Sequence, residues 1–416
     1  MDLFTLITLL IVGAAVFAYI NTRLLKLPDA IGIMVLSVAF SLVLIGLNQI
    51  RPEWFETVRN AITTIDFGRV LFDVMLSFLL FAGAFHTDTE LLRLERRSIM
   101  LFAFVGVLIS TFLVGTGLYY IAGLFGFVLP YILCLLFGAL ISPTDPIAVL
   151  GILAKFKLPE SVKLNIVGES LFNDGVGVVL FASIYRLVVN GVESFDAIDI
   201  GLLFLEEAGG GLLYGLALGY LMFWLLRSIN HYQTEVIVTV AGVMGGYLLA
   251  QKLHVSGPLA MVVAGLFVGD RTRLNEAMSH TTEEYVDKFW ELVDSILNSL
   301  LFVLIGFELL IIDLQSSYLL ICIASVVLVL ASRFVAIWVP FRLARRWIGL
   351  DKKAPFMLTW GGLRGGLSIA MALSIPNTMP HKDLLVTITY AVVLFSVIGQ
   401  GLTMERLIRR LYPEEE

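Results

Sequence analysis

The chain has 416 residues, of which 58% are hydrophobic and only 15% are charged. A soluble domain normally carries about a quarter charged residues, so this composition excludes an ordinary soluble protein and indicates one embedded in a membrane. The net charge of −6 says little about partners, because charge placement matters more than its sum in lipid, and no nucleic-acid partner is expected. Cys134 and Cys322 lie within apolar runs and predict neither a disulfide framework nor a zinc site.

Apolar stretches long enough to cross about 30 Å of hydrocarbon follow one another along the chain. The first seven predicted spans cover residues 3–20, 29–48, 69–86, 98–124, 128–154, 162–190 and 200–226. The next six cover residues 235–251, 257–269, 293–312, 316–341, 355–375 and 384–405. We therefore predict an all-α polytopic membrane protein with about 13 transmembrane helices, in which residues 1–416 form a single integral-membrane domain.

The loops predict an orientation, because basic loops remain in the cytoplasm. Of the 28 Lys and Arg residues, 20 fall in loops on one side of the predicted membrane and only four on the other. We expect a multi-pass protein of the inner or plasma membrane, with its N-terminus outside and its C-terminus in the cytoplasm.

Two spans contain helix-breaking residues near their middle. The fifth contains residues 138–146, with Pro143 and Pro146, and the twelfth contains the glycine-rich residues 361–366. Proline removes a backbone donor and glycine weakens a helix, so such breaks persist in hydrocarbon only where protein or a watery cavity satisfies the freed groups. An offset of seven spans predicts inverted repeats of spans 1–6 and 8–13, with broken helices 5 and 12 crossing at a transporter's binding site.

Five ionisable side chains lie deep in these apolar surroundings, and they are Asp145, Glu169, Asp174, Arg333 and Arg364. At about 2.5–3.5 kcal/mol each, they would together cost roughly 12–17 kcal/mol if unpaired and facing lipid. They must therefore pair or face water. Three acidic groups against two basic groups leave one carboxylate without a fixed partner, free to hold a proton or a monovalent cation.

The run of residues 168–175 on span 6 places Ser170 and Asp174 four residues apart on one helix face, with Asn173 beside them. The break in span 5 is expected to turn Thr144 and Asp145 toward the same midplane. Carboxylate, hydroxyl and amide oxygens are hard ligands that suit Na⁺ or Li⁺. Glu169, rotated about 140° from Asp174 around the helix, is expected to face another neighbour, for which Arg333 on span 11 is the candidate.

Four strings carry a resemblance to a known family. They are Ser-Pro-Thr-Asp-Pro (142–146), Gly-Glu-Ser-Leu-Phe-Asn-Asp (168–174), Ala-Ser-Arg (331–333) and Gly-Gly-Leu-Arg-Gly-Gly (361–366). Their order and spacing span most of the chain and resemble those of the monovalent cation:proton antiporter-1 family, whose members include NhaP- and NHE-type Na⁺/H⁺ antiporters. The resemblance implies secondary-active exchange of Na⁺ or Li⁺ for H⁺ by alternating access, without a cofactor beyond the transported ions.

The resemblance also implies roles for particular residues. Asp174 would be the carboxylate that exchanges cation for proton, with Thr144, Asp145 and Ser170 helping to coordinate the ion and Asn173 supporting the site. Glu169 and Arg333 would form a buried ion pair, and Arg364 would hold the unwound stretch of span 12. From the residues alone, a snorkelling or backbone-capping role for Arg364 is an equal alternative. The Asn173-Asp174 pair, where electrogenic members have two aspartates, implies electroneutral exchange of one cation for one proton. Some archaeal members carry an acidic residue near the position of Ala82, which this chain lacks, so the resemblance leaves the route of ion entry open.

Further expectations concern assembly. We expect transport elements within residues 98–190 and 317–409 and scaffold elements within residues 1–50 and 200–270, with a homodimer in the lipid bilayer. Gly211, Gly215 and Gly219 form a small-residue stripe on span 7 that predicts close helix packing, within the chain or at a dimer interface.

Three other classes of membrane protein place buried acidic residues within the bilayer: intramembrane aspartyl proteases, intramembrane metalloproteases and passive channels. An intramembrane aspartyl protease would require a Gly-x-Gly-Asp string, which residues 265–270 do not match, and a metalloprotease would require His-Glu-x-x-His, which the sequence lacks. We therefore expect no enzyme. A passive channel remains an alternative, separated from an antiporter by whether a Na⁺ gradient drives protons uphill.

Overall fold

A computed structural model describes residues 3–48, 50–63, 68, 70–145, 147–153, 156, 158–190, 197–312 and 315–413. Every regular element among them is helical. The first seven helices are α1 (Leu3–Ile20), α2 (Asp29–Leu47), α3 (Pro52–Thr63), α4 (Leu76–Phe85), α5 (Thr89–Met100), α6 (Val107–Leu124) and α7 (Tyr131–Ile141). The next six are α8 (Ile147–Leu153), α9 (Glu160–Asn190), α10 (Ala197–Arg227), α11 (Tyr232–Lys252), α12 (Gly257–Val268) and α13 (Arg271–Ala277). The last six are α14 (His280–Glu308), α15 (Leu319–Leu343), α16 (Ala354–Gly361), α17 (Gly366–Ser374), α18 (Lys382–Leu394) and α19 (Gly401–Leu411).

The helices confirm the predicted polytopic membrane fold. Nine helices in the described part of the chain are long and apolar enough to cross a bilayer, and three shorter apolar helices span Val70–Phe85, Tyr131–Ile141 and Gly257–Val268. Some predicted spans consist of several helices. A π-helical segment, Leu101–Gly106, joins α5 to α6, and another, Phe395–Gln400, joins α18 to α19. The helices occur in the order that the apolar segments of the sequence predict. Each apolar segment forms a helix because its backbone N–H and C=O groups can find hydrogen-bond partners in hydrocarbon only within the segment itself.

Some helices extend beyond, or fall outside, the predicted spans. The short helices α3 and α13 lie between spans, and α14 begins at His280, although hydropathy predicted its start at residue 293. Charged residues lower the hydropathy of the first turns of α14, but the Ser279 side chain caps this helix by accepting a hydrogen bond from the Thr282 backbone. A polar first half therefore precedes the apolar half of this helix.

The fifth and twelfth spans are broken, as the prolines and glycines predict. Helix α7 ends at Ile141 and α8 begins at Ile147, while α16 ends at Gly361 and α17 begins at Gly366. The two breaks meet, since the Asp145 backbone N–H donates a hydrogen bond of 2.7 Å to the Leu363 carbonyl. Pro146, part of the predicted break, lies outside the described residues. Two unwound segments are thus held against each other inside the molecule.

The glycine stripe packs α10 against α12. A Cβ atom at Gly215 would lie 2.6 Å from the Ala260 carbonyl oxygen, and one at Gly211 would lie 2.7 Å from that of Ser256. Contacts of this length exclude any larger residue, so the predicted close packing is confirmed. The helix that packs on this stripe is α12 of the same chain.

Candidate functional site

A cavity of about 700 Å³ reaches from one end of the helical assembly to the broken helices. Asp174 on α9 and Thr144 and Asp145 in the first break line its deep part. Its outer part is lined by residues near the ends of α4, α5, α9 and α14, including His86, Asp88, Glu160 and Asp287. Two carboxylates that are 29 positions apart in the sequence, those of Asp145 and Asp174, therefore face the same cavity.

Thr144 is held by the two polar neighbours of Asp174 on α9. Its backbone N–H donates to the Asn173 Oδ1 atom at 3.1 Å, and Asn173 Nδ2 donates to Thr144 Oγ1 at 2.8 Å. The hydroxyl oxygens of Thr144 and Ser170 lie 2.9 Å apart. Because Asn173 uses both of its amide atoms on one residue, it fixes the position of Thr144 against α9.

The predicted binding residues therefore divide into two sets. Thr144, Asp145 and Asp174 line the cavity, whereas Ser170 and Asn173 lie behind Thr144 and bond to it. The structure thus brings all five together, with the second set positioned to orient the first.

Asp145 lies between the two broken helices. Its Oδ2 atom is so close to Gly365 that a Cβ atom at that glycine would lie 2.3 Å away. Gly365 immediately precedes α17, so the carboxylate approaches the N-terminus of that helix, where unpaired backbone N–H groups and the helix dipole favour negative charge.

Arg364 stabilises the break in the other broken helix. Its Nη1 atom donates to the carbonyl oxygen of Pro143 at 2.8 Å and also to that of Ser142. A guanidinium at the C-terminal end of α7 satisfies carbonyls that have lost their helical partners and complements the helix dipole. The unwound stretch that contains Arg364 is also bonded, since the Ser396 hydroxyl accepts the Arg364 backbone N–H at 2.8 Å.

Glu169 and Arg333 form a buried, bidentate ion pair. Arg333 Nη2 donates to Glu169 Oε2 at 2.9 Å, and Nη1 contacts Oε1. The two side chains are only 1% and 4% exposed, respectively. Arg333 Nη2 also donates to the Leu358 carbonyl at 3.3 Å, so the pair joins α9 and α15 to the first half of the second broken helix.

The charges around the break therefore separate into two groups. Glu169 compensates Arg333, while Asp174 interacts electrostatically with both Asp145 and Arg364. These five side chains carry one negative charge in excess when all are ionised.

Two features of the cavity were missed in the sequence. Helix α14 presents a polar stripe along it, made of Asp287, Glu291, Asp294 and Asn298. Their spacing of four, three and four residues is the signature of one helix face and could have been recognised, had α14 been predicted to begin earlier. Ser368 also lines the deep cavity, and its buried hydroxyl has no hydrogen-bond partner among the described residues. Together with Thr144 and the two aspartates, it offers hard oxygen ligands.

Comparison with known proteins relates this geometry to a family. The family described as sodium/hydrogen exchanger, transmembrane, matches residues 11–410. The chain is 46% identical to the Na⁺/H⁺ antiporter NhaP of Pseudomonas aeruginosa over 98% of its own length and 96% of that protein. It is 34% identical to the Na⁺/H⁺ antiporter NhaH of Halobacillus dabanensis, over 97% of this chain and 96% of the other.

A solved structure agrees with the fold. The sodium proton antiporter MjNhaP1 of Methanocaldococcus jannaschii superposes with a TM-score of 0.77 at 20% identity, and the match covers 100% of both chains. At this identity the likeness concerns the fold alone. The match over nearly the whole chain and the identity to NhaP together show that the chain belongs to the sodium/hydrogen exchanger family.

Proposed function

We propose that the chain exchanges Na⁺ or Li⁺ for H⁺ at Asp174 and Asp145, one cation for one proton. The observation that carries the proposal is the pair of carboxylates at the deep end of a cavity, with one negative charge more than the surrounding arginines compensate. Family membership and the named activity of the NhaP and NhaH relatives support the same cargo.

Competition for Asp174 would couple the two ions. A proton and a Na⁺ both neutralise the excess charge, so each excludes the other from the same carboxylate. An unloaded site keeps an uncompensated charge in a poorly hydrated place, which opposes its passage across the barrier. Only the two loaded forms would then change sides, and that restriction converts a Na⁺ gradient into proton movement.

The ligand set follows from the atoms facing the cavity. We assign cation binding to the carboxylates of Asp174 and Asp145 and to oxygen atoms of Thr144, with the Ser368 hydroxyl as a further ligand. Ser170 and Asn173 would act as positioning residues, because their polar atoms bond to Thr144.

The acidic stripe on α14 supplies a route of entry. Asp287, Glu291 and Asp294 follow one another along the cavity toward the broken helices, and successive carboxylates raise the local concentration of cations. The outer lining comes from loops that the positive-inside rule assigns to the cytoplasm. We therefore infer an inward-facing state. We further propose that both broken helices belong to moving transport elements, residues 98–190 and 317–409, and that residues 1–50 and 200–270 form a dimeric scaffold.

The test is exchange in proteoliposomes that contain the purified chain. An imposed Na⁺ gradient should move protons uphill, and Asp174→Asn should abolish this movement while the protein still inserts. Glu53→Gln, a change at an exposed carboxylate on α3, is the matched control and should leave exchange unchanged. Sustained Na⁺-driven proton movement by Asp174→Asn would refute the proposal, and proton movement only down its own gradient would indicate a channel.

Stoichiometry is tested in the same vesicles. Exchange of one Na⁺ for one H⁺ moves no net charge, so its rate should be the same with the membrane potential clamped at zero or at a negative value. A rate that rises when the potential is made negative inside would contradict electroneutral exchange.

A further inference from the structure

A second cavity lies on the outer surface of the helical assembly, separate from the ion site. It is a groove of about 450 Å³ between α5, α10 and α12, and it ends at α13. Its walls are mainly apolar and include Leu92, Ile99, Met100, Leu216 and Val263. The groove has no part in the exchange mechanism described above.

Three arginines surround the end of the groove next to α13, which is the end that the positive-inside rule assigns to the cytoplasm. Arg93 lies 3.5 Å from the buried carboxylate of Asp270 and is compensated by it. Arg273 stacks on the Phe267 ring, with its guanidinium carbon 3.7 Å from the ring centroid. Among the described residues, Arg96 forms no salt bridge. Three positive charges therefore face one negative charge at this end.

The side of the groove is continuous with the surface that faces lipid. Met100 on α5 is 40% exposed and Leu216 on α10 is 47% exposed, although both also line the groove. A ligand held here can therefore have an apolar part in contact with the bilayer. A free soluble anion would use the arginines alone and would leave the apolar walls unpaired.

We propose that this groove binds an anionic phospholipid of the cytoplasmic leaflet. Arg96 and Arg273 would hold the phosphate, and one acyl chain would lie between Met100 and Leu216. Basic pockets between transmembrane helices on the cytoplasmic side suit such headgroups, and the excess of positive charge selects against zwitterionic lipid. Guanidinium groups suit phosphate oxygens because they donate in a planar, bidentate fork.

The position of the groove suggests a consequence for transport, and this step rests on the proposed function. One wall comes from α9 and the end of α5, which lie in the proposed transport elements, and from the earlier turns of α5, which lead into them. The other wall comes from α10 and α12 of the proposed scaffold. A lipid bound between them would favour the conformation in which the two walls have their present separation. Lipid binding itself is measured without transport, so the two proposals can fail separately.

The charge requirement is tested on the purified full chain by native mass spectrometry, with phosphatidylglycerol and phosphatidylcholine as probes. At about 1 kcal/mol for each arginine near the membrane surface, Arg96→Gln should weaken phosphatidylglycerol binding about fivefold, and Arg96→Gln with Arg273→Gln about thirtyfold. Arg97→Gln, on the same helix but outside the groove, is the matched control and should bind like the unmodified chain. Arg93 is left unchanged, because its loss would leave Asp270 buried without a cation.

The apolar requirement is tested by filling the groove. Leu216→Trp should reduce the number of phosphatidylglycerol molecules retained, whereas Leu213→Trp, at an exposed position of α10 outside the groove, should not. Both variants keep all of the arginines, so this test stands even if the arginine variants misfold. The transport-deficient Asp174→Asn variant should retain lipid normally.

Several results would overturn the proposal. Equal losses in Arg96→Gln and Arg97→Gln would indicate non-specific attraction to a basic surface. Equal retention of phosphatidylcholine would remove the need for a negative headgroup. If inorganic phosphate stabilised the chain against heat as much as phosphatidylglycerol does, the site would take a soluble anion. A change of oligomeric state in Leu216→Trp would indicate that a second copy of the chain occupies the groove.

Discussion

The buried pair of Glu169 and Arg333 provides a stringent test of the packing around the site. In Glu169→Gln, the Arg333 guanidinium loses its only carboxylate among the described residues and keeps the Leu358 carbonyl at 3.3 Å. Solvent cannot replace the lost charge, since the Arg333 side chain is only 4% exposed. The variant therefore contains a buried cation without compensation.

The burial of Arg333 sets how much Glu169→Gln should lower the free energy of unfolding. Removal of one partner from a buried ion pair costs about 3–5 kcal/mol. Glutamine keeps one oxygen that can accept from Arg333, which returns about 1 kcal/mol. We expect Glu169→Gln to lower the free energy of unfolding by about 3 kcal/mol, a substantial part of the roughly 5–15 kcal/mol that stabilises a typical domain.

Unfolding in mixed detergent micelles, titrated with sodium dodecyl sulfate and followed by tryptophan fluorescence, measures this change. The double variant Glu169→Gln with Arg333→Met removes both charges of this pair and leaves neither uncompensated, so it should be about 2–3 kcal/mol more stable than the sum of the single effects predicts. Glu405→Gln is the control, because its partner Arg409 is 64% exposed and the pair should contribute less than about 1 kcal/mol. Additive effects in the double variant would refute the claim that these two charges compensate each other.

Three further changes test the deep cavity. Gly365→Ala should abolish proteoliposome exchange, because its Cβ would lie 2.3 Å from Asp145 Oδ2, whereas Gly245→Ala meets no atom within 4 Å and should exchange normally. Arg364→Lys keeps the charge but places its nitrogen one bond nearer the backbone than Nη1, the atom that donates to both the Ser142 and Pro143 carbonyls, and unfolding titration should show a loss of about 1.5–3 kcal/mol; an unchanged titration would contradict this role. Ser368→Ala should raise the Na⁺ concentration for half-maximal exchange about threefold to tenfold without lowering the maximal rate, and an unchanged Na⁺ dependence would remove this residue from the ligand set.

The sequence also anticipated which side chains share a helix face. Ser170, Asn173 and Asp174 were expected on one side of span 6 and Glu169 on another, and α9 holds them in this way because a regular helix rotates by about 100° per residue. The stripe on α14 follows the same periodicity. Hydropathy does not predict it, because a hydropathy profile detects only the apolar half of α14 and the first residues of the stripe lie in the polar half.

Contacts between distant segments were harder to anticipate. The sequence allows a backbone-capping role for Arg364, but it does not indicate that the side chain reaches the carbonyl of Pro143, 221 positions away. The partner of the Gly211–Gly219 stripe was likewise undetermined until α12 was seen to pack on it. In both cases the local sequence indicates the kind of partner, acceptor oxygens for the guanidinium and a closely packed helix for the glycines. It does not indicate which distant segment provides that partner.

The number and order of the membrane helices, the two breaks and the excess acidic charge were determined by the sequence alone. They depend on local composition. In hydrocarbon each segment must form its own backbone hydrogen bonds, and a charged side chain within an apolar segment is rare because it is energetically costly. Only the tertiary structure decided that Asp145 and Asp174 share one cavity, that Thr144 is held by Asn173, and that arginines surround a groove facing lipid. Those arrangements depend on how helices far apart in the chain pack together, and no local periodicity encodes that packing.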